Sequence, residues 1–210
     1  GADNRQQVFL NEGRIGGLEA AALVLNFFTQ FSDPAKLSYS WNSAMPRSRD
    51  FFAAGASAFY LGFASELSSL RAQNPHLNFD VTIVPQKSEV KKLTYGRLYG
   101  VAIPRSVKDA NAALTAARAL TLGAFAKNFA TGQGLAPVRL DLLAGPPTTD
   151  AFAPIFYKAA VMATAWLDPN LTVTQTIFQT AVNTVKTGQA DPRQAAARAA
   201  TELNALLLTK

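Results

Sequence analysis

The chain has 210 residues, of which 49% are hydrophobic and 16% are charged, enough apolar material to bury a core and to argue against gross disorder. Its 20 lysine and arginine residues against 14 aspartate and glutamate residues give a net charge of +6, but the basic residues are scattered, which disfavours nucleic acid as a partner. The absence of cysteine excludes disulfides, thiolate nucleophiles and thiolate metal sites.

Membrane and export signals are not evident in the sequence. No run of about eighteen apolar residues occurs, and residues 1–20 lack a basic segment followed by an apolar one. The sequence therefore predicts neither a membrane span nor a signal peptide within these 210 residues.

The first third of the chain is predicted to be helical with one polar loop. Apolar residues recur at helical spacing from Leu18 to Phe28, between Gly16-Gly17 and Asp33-Pro34, which predicts an amphipathic helix. A loop with two aromatic residues and several amide or hydroxyl groups follows, comprising Tyr39, Ser40, Trp41, Asn42 and Ser43. A short helix is then expected over residues 48–55.

Strands are expected in the middle of the chain. Residues 58–61 form an apolar run typical of a buried strand, a helix is predicted over 65–72, and residues 79–84 alternate as a half-buried strand does. An extended segment follows over 93–103, in which Gly100 is expected to permit a close backbone approach.

The second half is predicted to be rich in helices. Ser106, with Asp109 three residues later, forms a capping signature before a long helix predicted over 110–129, and a proline- and glycine-rich connection spans 134–149. Three more helices are predicted, over 152–167, 174–186 and 192–207. Helices packed around a small sheet, an α/β architecture, are therefore the predicted fold class.

Three phrases occur in a fixed order: Phe51-Phe52-Ala53-Ala54-Gly55, Tyr99-Gly100-Val101-Ala102-Ile103-Pro104, and Asp191-Pro192-Arg193-Gln194. Together they resemble the C-terminal part of extracellular solute-binding proteins that serve ABC importers. The resemblance covers nearly the whole chain. It implies the type II periplasmic-binding-protein fold, with most of the N-terminal lobe missing from this chain.

The resemblance also implies an assignment to lobes and a place of action. Residues 1–103 would belong to the C-terminal lobe and its hinge strand, 104–150 to the other lobe, and 151–210 would pack back on the lobe and hinge. The protein would be extracellular or periplasmic, anchored as a lipoprotein in a longer precursor, and would deliver a sugar or polyol to an ABC permease. A missing lobe would weaken binding to about millimolar and leave surfaces open to self-association.

Six residues are the predicted ligand contacts. Trp41 and Asn42 lie in the polar loop, where an aromatic ring beside amide and hydroxyl groups suits a solute site. The resemblance adds Tyr99 in the segment crossing between lobes, Phe63 and Ser65 where relatives often carry a sugar-stacking tryptophan, and Gln175 on the penultimate helix. The alternative is that Trp41 and Tyr99 are packing residues, as is expected for Trp166.

Catalytic and cofactor patterns are not found. The one histidine, His76, sits in a turn without an acidic cluster, and no strained Gly-x-Ser-x-Gly turn accompanies it. The glycines around Gly96 and Gly132 miss the phosphate-binding spacings, and Glu66 is expected to cap a helix or face solvent. The sequence therefore predicts a non-enzyme that needs no cofactor, with a structural or protein-interaction module as the alternative to solute capture.

Overall fold

A computed structural model of the protein describes residues 18–86, 92–165 and 168–208. Helices hold 53% of these residues, whereas each strand found among them is two residues long. Packing between helices therefore supplies most of the core, as the helix-rich prediction expected. The predicted packing role of Trp166 lies outside the described residues.

The elements are as follows. The helices in the described residues are α1 (Leu18–Thr29), α2 (Ser48–Ala53), α3 (Leu67–Gln73), α4 (Ala110–Thr121), α5 (Gly123–Gly132), α6 (Ala153–Val161), α7 (Leu171–Lys186) and α8 (Pro192–Leu208). The strands are β1 (Thr94–Tyr95) and β2 (Ala163–Thr164).

The described residues divide into two compact units. The first, which we call the helical unit, contains residues 18–45 and 168–208. The second, which we call the mixed unit, contains residues 46–86 and 92–165. The predicted assignment of the chain to two lobes concerns a larger protein and stays a prediction.

In the helical unit, α1, α7 and α8 pack on one another. The buried residues of α8 are Ala195, Ala196, Ala199, Ala200 and Leu203. Their spacing places them along one face of the helix, and the small alanine side chains allow the neighbouring helices to approach closely. Leu203, only 1% exposed, is the large side chain that fills the space at the end of this stripe.

The ends of α7 and α8 are set by side chains that cap free backbone groups. The Oδ1 atom of Asn170 accepts a hydrogen bond from the N–H of Val173 at 3.2 Å, and Gly188 turns the chain at φ +69° after α7. At the start of α8, Asp191 accepts from the N–H of Gln194 at 2.8 Å, and the side chain of Gln194 accepts from the N–H of Asp191 at 3.3 Å. This reciprocal cap explains why the Asp-Pro-Arg-Gln phrase opens the last helix, as predicted.

In the mixed unit, β1 and β2 pair in parallel, with Thr94 opposite Ala163 and Tyr95 opposite Thr164. The hydroxyl of Thr94 also donates to the carbonyl oxygen of Ala159 at 2.7 Å, which ties β1 to α6. The small sheet is therefore held by its own ladder and by the helix that precedes β2.

A row of five half-buried aromatic rings runs through the mixed unit. Tyr60, Phe52, Phe79, Phe152 and Phe156 follow one another with centroid separations of 5.7, 5.6, 5.7 and 6.5 Å. Stacked and edge-on contacts of this kind add to the apolar burial of each ring. The row links α2 to α6 across the unit.

Several predicted elements are confirmed. Helices α1, α2, α3, α7 and α8 lie where the apolar spacing placed them, with shifts of a few residues at their ends. A side-chain cap before α4 is present, but Asp109 rather than Ser106 is the N-cap, because the Asp109 carboxylate accepts the N–H of Ala112 at 2.9 Å. Pro154 lies in the first turn of α6, where a missing N–H is harmless.

Other predictions are wrong. The expected helix over 110–129 is two helices, because Leu122 adopts an extended backbone (φ −60°, ψ 146°) before Gly123. The helix expected over 152–167 ends at Val161, since the chain then enters β2. Residues 58–61 are not a buried strand: Phe59 is 90% exposed and Leu61 77% exposed.

The segment 79–84 keeps the predicted alternation without forming a strand. Phe79, Val81 and Ile83 are half-buried, whereas Asp80, Thr82 and Val84 are exposed. No β-ladder pairs with this segment within the described residues, so the strand prediction is wrong although the alternation that motivated it is present. A strand needs a neighbour, and local alternation does not supply one.

Candidate functional site

The loop that carries Trp41 is fixed to the end of the first helix of the helical unit. The carbonyl oxygen of Phe31 accepts hydrogen bonds from the N–H groups of Ser40 and Trp41, at 2.9 and 3.1 Å. The Oδ1 atom of Asn42 accepts from the N–H of Ala44 at 2.9 Å, which closes a tight turn. Trp41 therefore projects from an anchored loop.

One charged group contacts the indole of Trp41, which is 39% exposed, and two polar side chains of the same loop bond to each other beside it in the sequence. The ammonium nitrogen of Lys186, in the last turn of α7, lies 4.4 Å from the centre of the ring. The Nδ2 group of Asn42 donates to the phenol oxygen of Tyr39 at 2.8 Å. The structure thus groups the predicted pair Trp41 and Asn42 with Tyr39 and Lys186, and we call these four residues the Trp41 site.

Gln175 lies on the same helix as Lys186 but further from Trp41. It is exposed, with buried Thr174 and Ile177 near it on the inner face of α7. Gln175 precedes Lys186 by three turns, about 16 Å along the helix axis. Because Lys186 is the α7 residue that contacts Trp41, the structure does not bring Gln175 into the Trp41 site.

In the mixed unit, Phe63 is part of a second exposed aromatic group. Its ring centre lies 6.0 Å from that of Tyr95 and 4.9 Å from the guanidinium carbon of Arg97. Phe63 is 37% exposed and Tyr95 54% exposed. Ser65 lies beside Phe63, exposed, in the 3₁₀ turn Ala64–Glu66. We call Phe63, Tyr95 and Arg97 the Phe63 platform.

Glu66 fixes the backbone under this platform. Its Oε2 atom accepts the N–H of Phe63 at 2.7 Å, and its Oε1 atom accepts the hydroxyl of Tyr60 at 2.9 Å. The capping role expected for Glu66 is therefore confirmed. Gly62 is needed between these groups, because an added Cβ would lie 2.5 Å from the Tyr60 ring and 2.7 Å from the Glu66 carboxylate.

The Glu66 contact changes the acidity of Tyr60. Partial burial, the hydrogen bond to Glu66 and the charge of that carboxylate raise the pKa of Tyr60 to about 12, from an ordinary 10.0. Because the folded-state pKa is the higher one, the stability associated with the neutral, part-buried phenol is fully present below pH 10 and is lost as pH rises toward 12.

We expect the Tyr60→Phe variant to lose the phenolate absorbance change at the alkaline end of a titration of the folded protein. The stability gap between wild type and this variant should shrink between pH 10 and pH 12, as judged by urea unfolding at each pH. The Glu66→Gln variant removes the charge but keeps a hydrogen-bond acceptor. In this variant the pKa of Tyr60 should fall, so its phenol should ionise at a lower pH than in the wild type. An absorbance loss in Tyr60→Phe centred near pH 10 would contradict the assignment.

Tyr99 stands apart from these groups. Its side chain is 97% exposed, and a Cβ added to the neighbouring Gly100 would meet no atom within 4 Å. The expected close approach at Gly100 is therefore wrong for the described residues. Trp41, Asn42 and Gln175 belong to the helical unit, whereas Phe63, Ser65 and Tyr99 belong to the mixed unit.

A small cavity of about 100 Å³ lies within the mixed unit. Asp150, Phe156 and Tyr157 line it together with threonine, proline, glycine and leucine side chains or backbone. Asp150 is engaged there already, accepting the N–H of Phe152 at 3.0 Å and facing the guanidinium of Arg71 at 3.9 Å. A space of this size holds a few water molecules rather than a sugar ring.

A metal site does not assemble in the described ranges. No three histidine, aspartate or glutamate side chains gather there as a metal site would require. His76 lies in the predicted turn, where its N–H donates to the side chain of Asn74 at 3.1 Å.

Residues that sequence reasoning missed are the partners of the predicted rings. Lys186 is remote from Trp41 in sequence, and a lysine in the last turn of a helix is ordinarily explained by the helix dipole. The sequence did contain a signal for Tyr95 and Arg97. Alternate residues of an extended segment share a face, so the spacing of Tyr95, Arg97 and Tyr99 could have predicted that these side chains point the same way.

Comparison with known proteins does not assign this chain to a family. The sequence matches no protein-family model, and no curated protein sequence matches it. None of the helices in residues 18–86, 92–165 and 168–208 has the length and apolarity needed to cross a membrane. The likeness to solute-binding proteins thus stands on the three residue phrases.

Proposed function

We propose that the protein captures an extracellular solute, a carbohydrate, without catalysis and delivers it to the permease of an ABC transporter. The observation that carries this proposal is the Trp41 site, in which a part-exposed indole sits on an anchored loop among polar groups. Flat aromatic faces bury the apolar faces of sugar rings, and amide and hydroxyl groups bind sugar hydroxyls.

In the proposed mechanism, ligand binding favours a closed arrangement of two lobes. Trp41 covers one face of the sugar while Asn42 binds its hydroxyls. The residues Phe63, Ser65, Tyr99 and Gln175 stay predicted ligand contacts. Binding energy shifts the equilibrium only as far as the ligand prefers the closed state over the open one. The permease then binds the closed, ligand-loaded state.

The proposal also includes a location and an architecture. The protein acts outside the cytoplasm, held as a lipoprotein in its precursor, and its fold is the type II periplasmic-binding-protein fold. The lack of cysteine is compatible with export, and the helix-rich chain with a small parallel sheet is compatible with part of such a fold.

Titration of the ¹⁵N-labelled chain with neutral and acidic mono- and oligosaccharides tests the proposal. The chain has two tryptophans, so two indole N–H signals are expected, and Trp166→Phe assigns them. We expect a saturable shift of the Trp41 signal with a Kd of about 1 mM. Glycine betaine at equal concentration controls for non-specific effects. No saturable shift with any saccharide up to about 50 mM would contradict solute capture.

The alternative function is a protein-interaction module, and one surface favours it. Leu23, Val24, Phe27 and Phe28 on α1 are each 59% to 69% exposed and lie on adjoining positions of the helix. Contiguous exposed apolar surface of this kind is typical of protein interfaces. The titration separates the two functions, because an interaction module has no reason to respond to sugars.

A further inference from the structure

Hydrogen-bond donors outnumber acceptors in the Trp41 site. The oxygen of Tyr39 accepts from Asn42, so the hydroxyl hydrogen of Tyr39 points elsewhere and can donate. Asn42 keeps a second N–H hydrogen, whereas its oxygen already accepts from the backbone of Ala44. Lys186 adds an ammonium with three donors and a full positive charge, 4.4 Å from the indole centre.

The described residues hold no carboxylate partner for this positive charge. Among residues 18–86, 92–165 and 168–208, no carboxylate forms an ion pair with Lys186. Lys186 is also half-buried, so water screens its charge less than on an open surface. Sugar hydroxyls both donate and accept, so a site for a neutral sugar gains from carboxylate or amide acceptors. A cationic set of donors instead matches an anion.

The Phe63 platform repeats the arrangement independently. The guanidinium carbon of Arg97 lies 4.9 Å from the Phe63 ring centre, and no carboxylate in the described part of the chain pairs with Arg97. Each unit thus presents an exposed aromatic ring with a cation over one of its faces. A ring covered on one face can still stack a sugar on the other, with the cation beside the sugar's edge.

We propose that the solute is an anionic saccharide, and that Lys186 supplies the countercharge to its acidic group while the exposed part of the Trp41 ring stacks on the sugar ring. This inference rests on the proposed capture of a carbohydrate and specifies its chemical class. The acidic group is a carboxylate, sulfate or phosphate, since each presents oxygen acceptors to an ammonium group.

The test compares matched saccharides that differ in charge. Tri-galacturonate and its methyl-esterified form share one skeleton, and a sulfated disaccharide and glucose 6-phosphate identify the acidic group. Binding to the full chain is followed by the indole N–H signal of Trp41 in low salt. We expect the best anionic probe to bind about three- to tenfold more tightly than its neutral counterpart, a preference that about 0.5 M NaCl removes.

Two lysine variants make the assignment specific. Lys186→Gln should weaken binding of the anionic probe by about three- to tenfold and leave the neutral probe within about twofold. Lys127→Gln, which removes the same charge from the exposed side of α5 in the mixed unit, should change neither.

The outcomes separate this inference from the proposed function. If each acidic probe, whether carboxylate, sulfate or phosphate, binds no more tightly than the same saccharide without its charge, the anionic class is overturned and carbohydrate capture stands. A preference for acidic probes that survives in Lys186→Gln would overturn the role of Lys186. Saturation by no saccharide, charged or neutral, would overturn both the inference and the capture function on which it rests.

Discussion

Replacement of Leu203 by alanine is expected to lower the free energy of unfolding by about 3 kcal/mol. Leu203 is 1% exposed and is the largest side chain of the buried stripe of α8. Its neighbours in that stripe are alanines, which have no spare length to fill the cavity that the substitution creates. Loss of apolar burial and the unfilled cavity therefore act together.

Urea unfolding followed by circular dichroism at the helical band measures this effect. Leu208→Ala is the matched control, because the same substitution is made on the same helix at a side chain that is 69% exposed. The control should change stability by less than about 0.5 kcal/mol. Equal effects of the two substitutions would mean that α8 does not bury the face assigned to it.

The helices of the helical unit could be predicted because their signals are local. Apolar spacing located α1, and the reciprocal cap of Asp191 and Gln194 fixed the start of α8. These features depend on residues within one or two turns of each other. Such signals can be recognised in the sequence without knowing the tertiary structure.

The strands failed because pairing is not local. Residues 79–84 keep the alternating burial of a strand, yet the described residues provide no ladder partner for them. Residues 58–61 are apolar, but only Tyr60 turns inward, onto Phe52. The sheet that does form joins Thr94 to Ala163, residues far apart in the chain. Its first strand lies within the extended segment predicted over 93–103, but its second strand lies where a helix was expected.

The same limit applies to the candidate site. Trp41 and Asn42 are neighbours in sequence, and their polar loop was visible from composition. Lys186 reaches Trp41 only because α7 packs in the helical unit beside the end of α1, so its contact is a product of tertiary structure. Charge at the site, which decides between neutral and anionic ligands, could therefore not be predicted from the loop alone.

Trp41→Ala is expected to weaken saccharide binding by at least about tenfold, since it removes the aromatic face on which the sugar would stack. Trp41→Phe, which keeps a smaller face, should retain binding within about threefold. Because the indole signal is lost in both variants, saturation transfer to the saccharide protons measures binding. Phe129→Ala, which removes an exposed ring from α5, is the control and should have no effect.

The stability of the same variants separates a ligand contact from a packing residue. An indole that is 39% exposed contributes less to folding than a buried one, so Trp41→Ala should lower the free energy of unfolding by about 2 kcal/mol, below the roughly 3–5 kcal/mol typical of a buried tryptophan. Lys186 loses its ring contact in this variant, and that loss is included in the figure. If Trp41→Ala instead unfolds the helical unit while Trp41→Phe restores it, and saccharide binding is absent throughout, Trp41 is a packing residue and the interaction-module alternative is favoured.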